Sequence, residues 1–264
     1  NCNLIISFHP IIFDGLKKIN GNSYVERVAI KAIKNDIAIY ATHTALDNSR
    51  KGVSAKMCEI IGLVNTKILI PKKGIIKKLT TYVPTKDADS LRSSLFEVGA
   101  GDIGNYDQCS FNTSGESTFK GNQNSNPILG KKGKLHKEKE TQISLIFESK
   151  NETRILNKLF EIHPCDEVSY ELLTTQNEHQ DIGIGMIGEL SQEMNEKDFL
   201  LYLKKTMKTD LIRYSEFINR KIKKVAVLGG SGSFAILNAK RAGADAHISA
   251  DFKYHDFFKA EREI

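Results

Sequence analysis

Three ionisable side chains stand just past the first two apolar runs of the chain: His9 in LIISFHP, and His43 and Asp47 in YATHTALDNS. If those runs are neighbouring parallel strands, their carboxyl ends share one edge and the three side chains converge there. Two imidazoles and a carboxylate form a borderline-hard donor set suited to zinc, iron or manganese. Each residue also has an ordinary structural use. Pro10 ends a strand by itself, His43 could be a packed ring, and Asp47 is of a type that caps helices and turns.

A second concentration lies in VAVLGGSGSFAILNAKRAGADAHISAD. Gly230, Gly232 and Ala235 have the G-x-G-x-x-A spacing of a dinucleotide fingerprint, and Asp251 stands near where a ribose-binding acid would be. A glycine-rich turn is equally what close strand-to-helix packing requires, and one βαβ segment here leaves little room for a dinucleotide fold. ADFKYHDFF again sets an acid, Asp251, and a histidine, His255, past a strand. It mirrors the opening run, while Asp256 reads as the cap of the helix that follows. GAGDIGNYDQCSFNTSGESTF brings glycines, Asn, Ser and Thr without clustered ionisable groups, so turns and loops are expected there before a small-molecule pocket.

The elements that must position these groups follow from periodicity. LIIS reads as a strand, YVERVAIKAIKND as an amphipathic helix, IAIYATH as a strand and GVSAKMCEIIGL as a helix stopped at Gly62, the β-α-β-α order of a parallel sheet with crossovers. From about Leu79 the texture changes. LTTYVP, DADSLRSSLFEVGAG, a polar stretch, ETQISLIFES, NETRILNKLFEIHP and EVSYELLTT give β-α-β-β-α-β or close to it, as in a ferredoxin-like domain. After GIGMIGEL the first texture returns, with DFLLYLKKTM helical, KKVAVLGG a strand, SFAILNAKRAG a helix, DAHISADF a strand and KYHDFFKAERE a helix. The economical reading is one α/β domain, residues 1–77 and 181–264, interrupted by residues 78–180.

Bulk properties narrow the class. The 264 residues suffice for two domains, and no apolar run reaches the roughly 18 residues that a transmembrane helix needs. No membrane partner is expected. The net charge of +6 is spread along the chain, its densest cluster, PKKGIIKKL, falls at the expected junction, and no nucleic-acid module signature is present, so a nucleic-acid partner is not expected. Cys2, Cys58, Cys109 and Cys165 lack zinc spacing and suit a reducing cytoplasm. Nothing at the start has the make-up of a signal peptide. The chain opens on Asn1, runs at once into a strand and ends in KAEREI, so it reads as a fragment.

SFHPIIFDGLK, YATHTALD and VAVLGGSGSF…GADAHISADFKYHD together resemble the His-His-Pro, His-Thr-x-Leu-Asp and C-terminal segments of the NIF-three-like family, whose members carry the label GTP cyclohydrolase I type 2 homologue. The stretch from YVP through LFEVGAGDIGNYDQCSF to IHPCDEVSYEL is similar to the PII/CutA-like domain that some members carry, with Ser117, Thr118 and Phe119 in place of a Gly-Thr-Phe element. The resemblance covers nearly the whole chain. It implies an α/β core of two similar halves with an inserted ferredoxin-like domain, a dinuclear metal centre, and a toroidal homohexamer. By resemblance His9 and Asp47 are metal ligands, with His43 beside them as a possible catalytic proton shuttle. Phe8 stands where the family has its first histidine, and the family's last His and Glu ligands fall beyond Ile264. One or two divalent ions per subunit are therefore expected, serving a hydrolase that acts on a nucleotide or related small molecule. The alternative is a non-catalytic regulatory or scaffold protein with a structural metal and an insert that senses an unidentified small-molecule ligand.

Overall fold

The computed structural model describes residues 2–125, 130–260 and 264. The chain begins with β1 (Leu4–Ser7), α1 (Tyr24–Lys34), β2 (Ala38–Ala41), α2 (His43–Asp47), α3 (Val53–Ile61) and β3 (Leu63–Pro71). It continues through β4 (Ile76–Pro84), α4 (Ala88–Glu97), β5 (Ser110–Phe119), β6 (His136–Glu148), α5 (Glu152–Ile162) and β7 (Tyr170–Thr174). Last come β8 (Gly183–Asn195), α6 (Glu196–Met207), β9 (Lys221–Ser231), α7 (Ile236–Arg241), β10 (Ala246–Ala250) and α8 (Asp256–Ala260). The result is a mixed α/β fold whose described strands form three sheets, and the chain divides into two compact units, residues 1–71 with 181–264, and residues 72–180.

In the discontinuous unit, β1 and β2 pair in parallel, Leu4 against Ala38 through Ser7 against Ala41. A second sheet has the order β10-β9-β8-β3, with β9 and β10 parallel and the other pairs antiparallel. Its central strand β9 is apolar on both faces, because both are covered. Val225 and Val227 pack with Cys58, Ile61, Phe199 and Leu203 from α3 and α6. Ala226 and Leu228 pack with Ile236 and Ala239 of α7.

In the unit of residues 72–180 a four-stranded antiparallel sheet has the order β5-β6-β4-β7. β6 alternates, with Ile143, Leu145 and Phe147 facing Leu91 and Leu95 of α4 and Ile155 and Leu159 of α5 in one core. That period of two is what a sheet with one covered face dictates.

Several expectations shift. VNTKILIP, passed over in the sequence, is strand β3, where Ile68 and Leu69 are buried on opposite faces. The strand expected from Leu79 begins at Ile76, drawing part of the basic cluster into a ladder with β6. Residues 110–119, expected as loop, are the edge strand β5, paired with β6 from Ser110–Leu145 to Phe119–His136. Its polar composition reflects an edge strand with mostly exposed side chains. The terminal helix is seen as α8 from Asp256 to Ala260, and residues 261–263 of KAEREI lie outside the described residues. Among the described residues no helix is long and apolar enough to cross a membrane.

Phe147 is fully buried in the core of residues 72–180. Phe147→Ala is expected to lower the unfolding free energy of that unit by about 3–5 kcal/mol, read by urea denaturation.

Candidate functional site

The parallel ladder of β1 and β2 continues past both strands. The Thr42 amide donates to the Ser7 carbonyl at 2.9 Å and the His43 amide to the Phe8 carbonyl at 2.8 Å. These two bonds bring the His-Pro corner and the start of α2 together. The rings of His9 and His43 lie 5.6 Å apart, tilted by 50°. Phe8 meets His9 edge-on at 4.8 Å and His43 at 5.9 Å, and Phe13 meets His43 at 5.7 Å. The two imidazoles therefore sit among phenyl rings.

His43 has φ +32°, in the left-handed region that a residue with a Cβ seldom adopts. Such strain persists where surrounding contacts over-determine the backbone, and it clusters at functional sites. Four residues on, Asp47 ends α2. It caps neither neighbouring helix: the N-cap of α2 is Thr42 and that of α3 is Gly52. Its Oδ1 is buried without a hydrogen-bond partner. Burial raises the Asp47 carboxyl above its ordinary value, opposed by the nearby His43 and His9 rings.

The loop between Phe8 and α1 is pinned at its far end. Ser23, the N-cap of α1, accepts through Oγ from the Glu26 amide at 3.2 Å and donates to the Glu26 carboxylate at 3.1 Å. The Asn20 and Asn22 amides also donate to Glu26, at 3.0 and 3.1 Å. Burial works to raise the Glu26 carboxyl, yet these donors outweigh it and hold it low.

The donor chemistry of His9, His43 and Asp47 fits a divalent ion in two respects: two imidazoles are adjacent, and a carboxylate oxygen beside them is unpartnered. Among the described residues, however, no three His, Cys, Asp or Glu side chains are already arranged to hold a metal ion. The neighbourhood holds the ligand types without a finished coordination shell. The cysteines are free, and burial pushes the Cys58 thiol up to about 11, in keeping with an inert core position.

The C-terminal motifs resolve differently. A Cβ on Gly232 would stand 2.3 Å from Ser249 Oγ and 3.0 Å from Leu228 Cβ, so glycine there serves close packing. Ser249 Oγ donates to the Gly230 carbonyl at 2.7 Å, and His247 Nε2 lies 3.1 Å from the Gly232 carbonyl. The turn thus offers its carbonyls to β10. Asp251 has φ +57°, and His255 packs against Tyr254 and Phe258 within its own segment. Asp256 accepts from the Lys253 amide and from Lys259 Nζ, and the Lys259 bond leads the causes that hold its carboxyl low. It is the first residue of α8 and ties the helix start back to Lys253, where the sequence suggested a cap. Two residues escaped the sequence reading. Phe13, within SFHPIIFDGLK, and His247, within GADAHISADFKYHD, were given no role of their own.

The profile of the Duf34/NIF3 (NGG1p interacting factor 3) family matches residues 1–264. The GTP cyclohydrolase 1 type 2 homolog of Halalkalibacterium halodurans is 37% identical over 253 residues, covering 96% of this chain and 68% of that protein. The homolog of Bacillus subtilis is 35% identical over 254 residues, with the same two shares. A solved structure, the Bacillus cereus protein related to NIF3, is similar with a TM-score of 0.79 at 35% identity, covering 98% of this chain and 69% of that one.

Burial lowers the basicity of His247 from its ordinary 6.5, against the opposing pull of the Gly232 and Ala226 carbonyls. A folded-state pKa below the unfolded one means that the unfolded chain takes the proton first as pH falls. Stability is expected to drop as pH falls below about 6.5 and to level off only beneath the folded pKa. His247→Gln is expected to reduce that slope between pH 7 and 5, read by urea midpoints against the parent.

Proposed function

This chain belongs to the Duf34/NIF3 family, and from that premise we propose that it binds a divalent cation through His9 and Asp47 and acts as a metal-dependent hydrolase. The observation that carries the reading is the buried, unpartnered Asp47 Oδ1 beside two facing imidazoles. A buried carboxylate oxygen without a donor is costly unless something positive meets it. Zinc, iron or manganese suits such ligands, in one or two copies per subunit. A divalent ion there supplies Lewis acidity, both to an attacking water and to the bond that it cleaves.

The chain's own residues supply the rest. His9 offers a ring nitrogen from the strand end that Pro10 keeps out of a ladder. Asp47 offers its orphan oxygen, held in place by α2. His43 stands beside them with a ring nitrogen able to take a proton and return it, a general acid–base role. Phe8 and Phe13 flank the imidazoles edge-on and give them apolar neighbours, although Phe13 is itself largely exposed. The relatives' name points to a nucleotide or a related small molecule as substrate. Residues 78–180 act in this reading as an inserted PII/CutA-like domain that senses a small ligand, within a cytoplasmic, toroidal homohexamer.

A second reading has its own observation: among the described residues no three ligands are preassembled. In that case the metal is structural and the protein is a non-catalytic regulator or scaffold.

Elemental analysis of the purified full-length protein decides the first step. About one or more tightly bound ions per chain are expected, lost in both His9→Ala and Asp47→Ala; equal metal in parent and variants would remove the site. Turnover of nucleotide or phosphoester by the loaded parent, lost in His43→Ala at unchanged metal content, is expected for the hydrolase. Metal removal that melts the oligomer, with no turnover by the loaded protein, would select the scaffold.

A further inference from the structure

A cavity of about 180 Å³ lies between α6, the irregular segment 208–220, β10 and α8. Its walls are largely apolar, with Phe199, Leu203, Phe217, Ile248, Phe252 and Phe257 among them. Glu216 lines it as well, and the other charged groups that reach it are engaged. Glu196 accepts from the Ile218 and Asn219 amides at 2.8 and 3.0 Å. Asp245 accepts from the Lys223 and Lys224 amides at 2.9 and 2.8 Å, and Asp256 accepts from the Lys253 amide and Lys259 Nζ. Arg213 donates to the Phe252 carbonyl at 2.9 Å, with its guanidinium carbon 5.7 Å from the Phe257 ring centre.

One buried side-chain polar atom is left over. Among the described residues, His247 Nδ1 is the cavity-lining side-chain atom that is buried with no hydrogen-bond partner. Because the ring's other nitrogen faces the Gly232 carbonyl, which only accepts, Nε2 carries the hydrogen and Nδ1 presents a lone pair. An unpaired acceptor in an apolar wall discriminates strongly, because a molecule without a donor leaves it unsatisfied.

We propose that this cavity is a binding site for a small, uncharged, mainly apolar molecule carrying one hydroxyl or N–H donor, a phenol-like compound, with that donor on His247 Nδ1. The size agrees: an engineered apolar cavity of about 150 Å³ is known to accept benzene. The largely apolar wall favours a mainly apolar, neutral ligand over an ion. The site involves none of His9, His43 or Asp47, and stands whether or not they bind metal.

Phenol and toluene, matched in size and differing in the donor, are titrated separately into the full-length protein, with binding followed by calorimetry and by the methyl resonances of Leu203 and Ile248. Phenol is expected to bind and shift both methyl groups, with an affinity about tenfold or more above that of toluene, equivalent to about 1.4 kcal/mol. In His247→Phe the preference is expected to collapse towards unity. Ile212→Trp, which fills the cavity from its irregular wall, is expected to lose both ligands and keeps the test decisive if the histidine variant does not fold. Equal binding of phenol and toluene to the parent would overturn the role of Nδ1. No binding of either, with an ordered water alone on the histidine, would overturn the site, as would undiminished phenol binding in a folded Ile212→Trp protein.

Discussion

The hydrogen bond from the His43 amide to the Phe8 carbonyl is the constraint on which the candidate site rests. It extends a parallel ladder beyond the last residues of β1 and β2. Without it the His-Pro corner and the first turn of α2 would be two separate loops. With it, a short sheet delivers two histidines to one place, and the left-handed backbone of His43 fits the chain into α2 in time to bring Asp47 back towards them. The Ser23 cap and the Glu26 carboxylate then fix the far end of the intervening loop. Each step is local chemistry, and their sum is a long-range arrangement.

The positive charge of the chain has a similarly local explanation in part. Lys223 Nζ donates to the carbonyls of Leu190 and Ser191, and Lys224 Nζ to that of Ala242. These ammonium groups satisfy backbone acceptors at the register shift within β8 and at the C-terminus of α7. The run RKIKK looks like a basic patch when read as text. In the fold two of its lysines are structural, and Asp245 on the same edge accepts from their backbone amides.

Much of this was legible in the sequence for identifiable reasons. His9, His43 and Asp47 could be placed at strand ends because Pro10 and the switch from period two to period 3.6 mark those ends. The alternation of β6 and the amphipathic α5 announced one covered face. β5 was illegible because an edge strand exposed on both sides needs no apolar alternation; its identity comes from pairing with β6, which composition does not encode. β3 was passed over because it pairs with β8, far along the chain, and residues 72–182 intervene. Gly232 carried a fingerprint spacing, yet its requirement lies in contact with Ser249, which only the fold reveals. His247 was hidden for the same reason, as burial and an unpaired nitrogen are properties of a surrounding and leave no trace in spacing.

The pairing of β3 with β8 has a kinetic side. Topologically it is a hairpin, Pro71 facing Gly183, whose loop is on the order of a hundred residues. Closing so long a loop by random search is entropically unfavourable, and contacts of that sequence separation slow folding. The His179 amide donates to the Lys72 carbonyl at 2.9 Å, so the two ends of the intervening segment are already side by side. Once residues 72–180 have collapsed onto their own core, the effective loop shrinks to a few residues and β8 finds β3 as an ordinary hairpin would. The order of events expected along this chain runs from the middle outwards: the segment that interrupts the β10-β9-β8-β3 sheet is also the one that lets that sheet close.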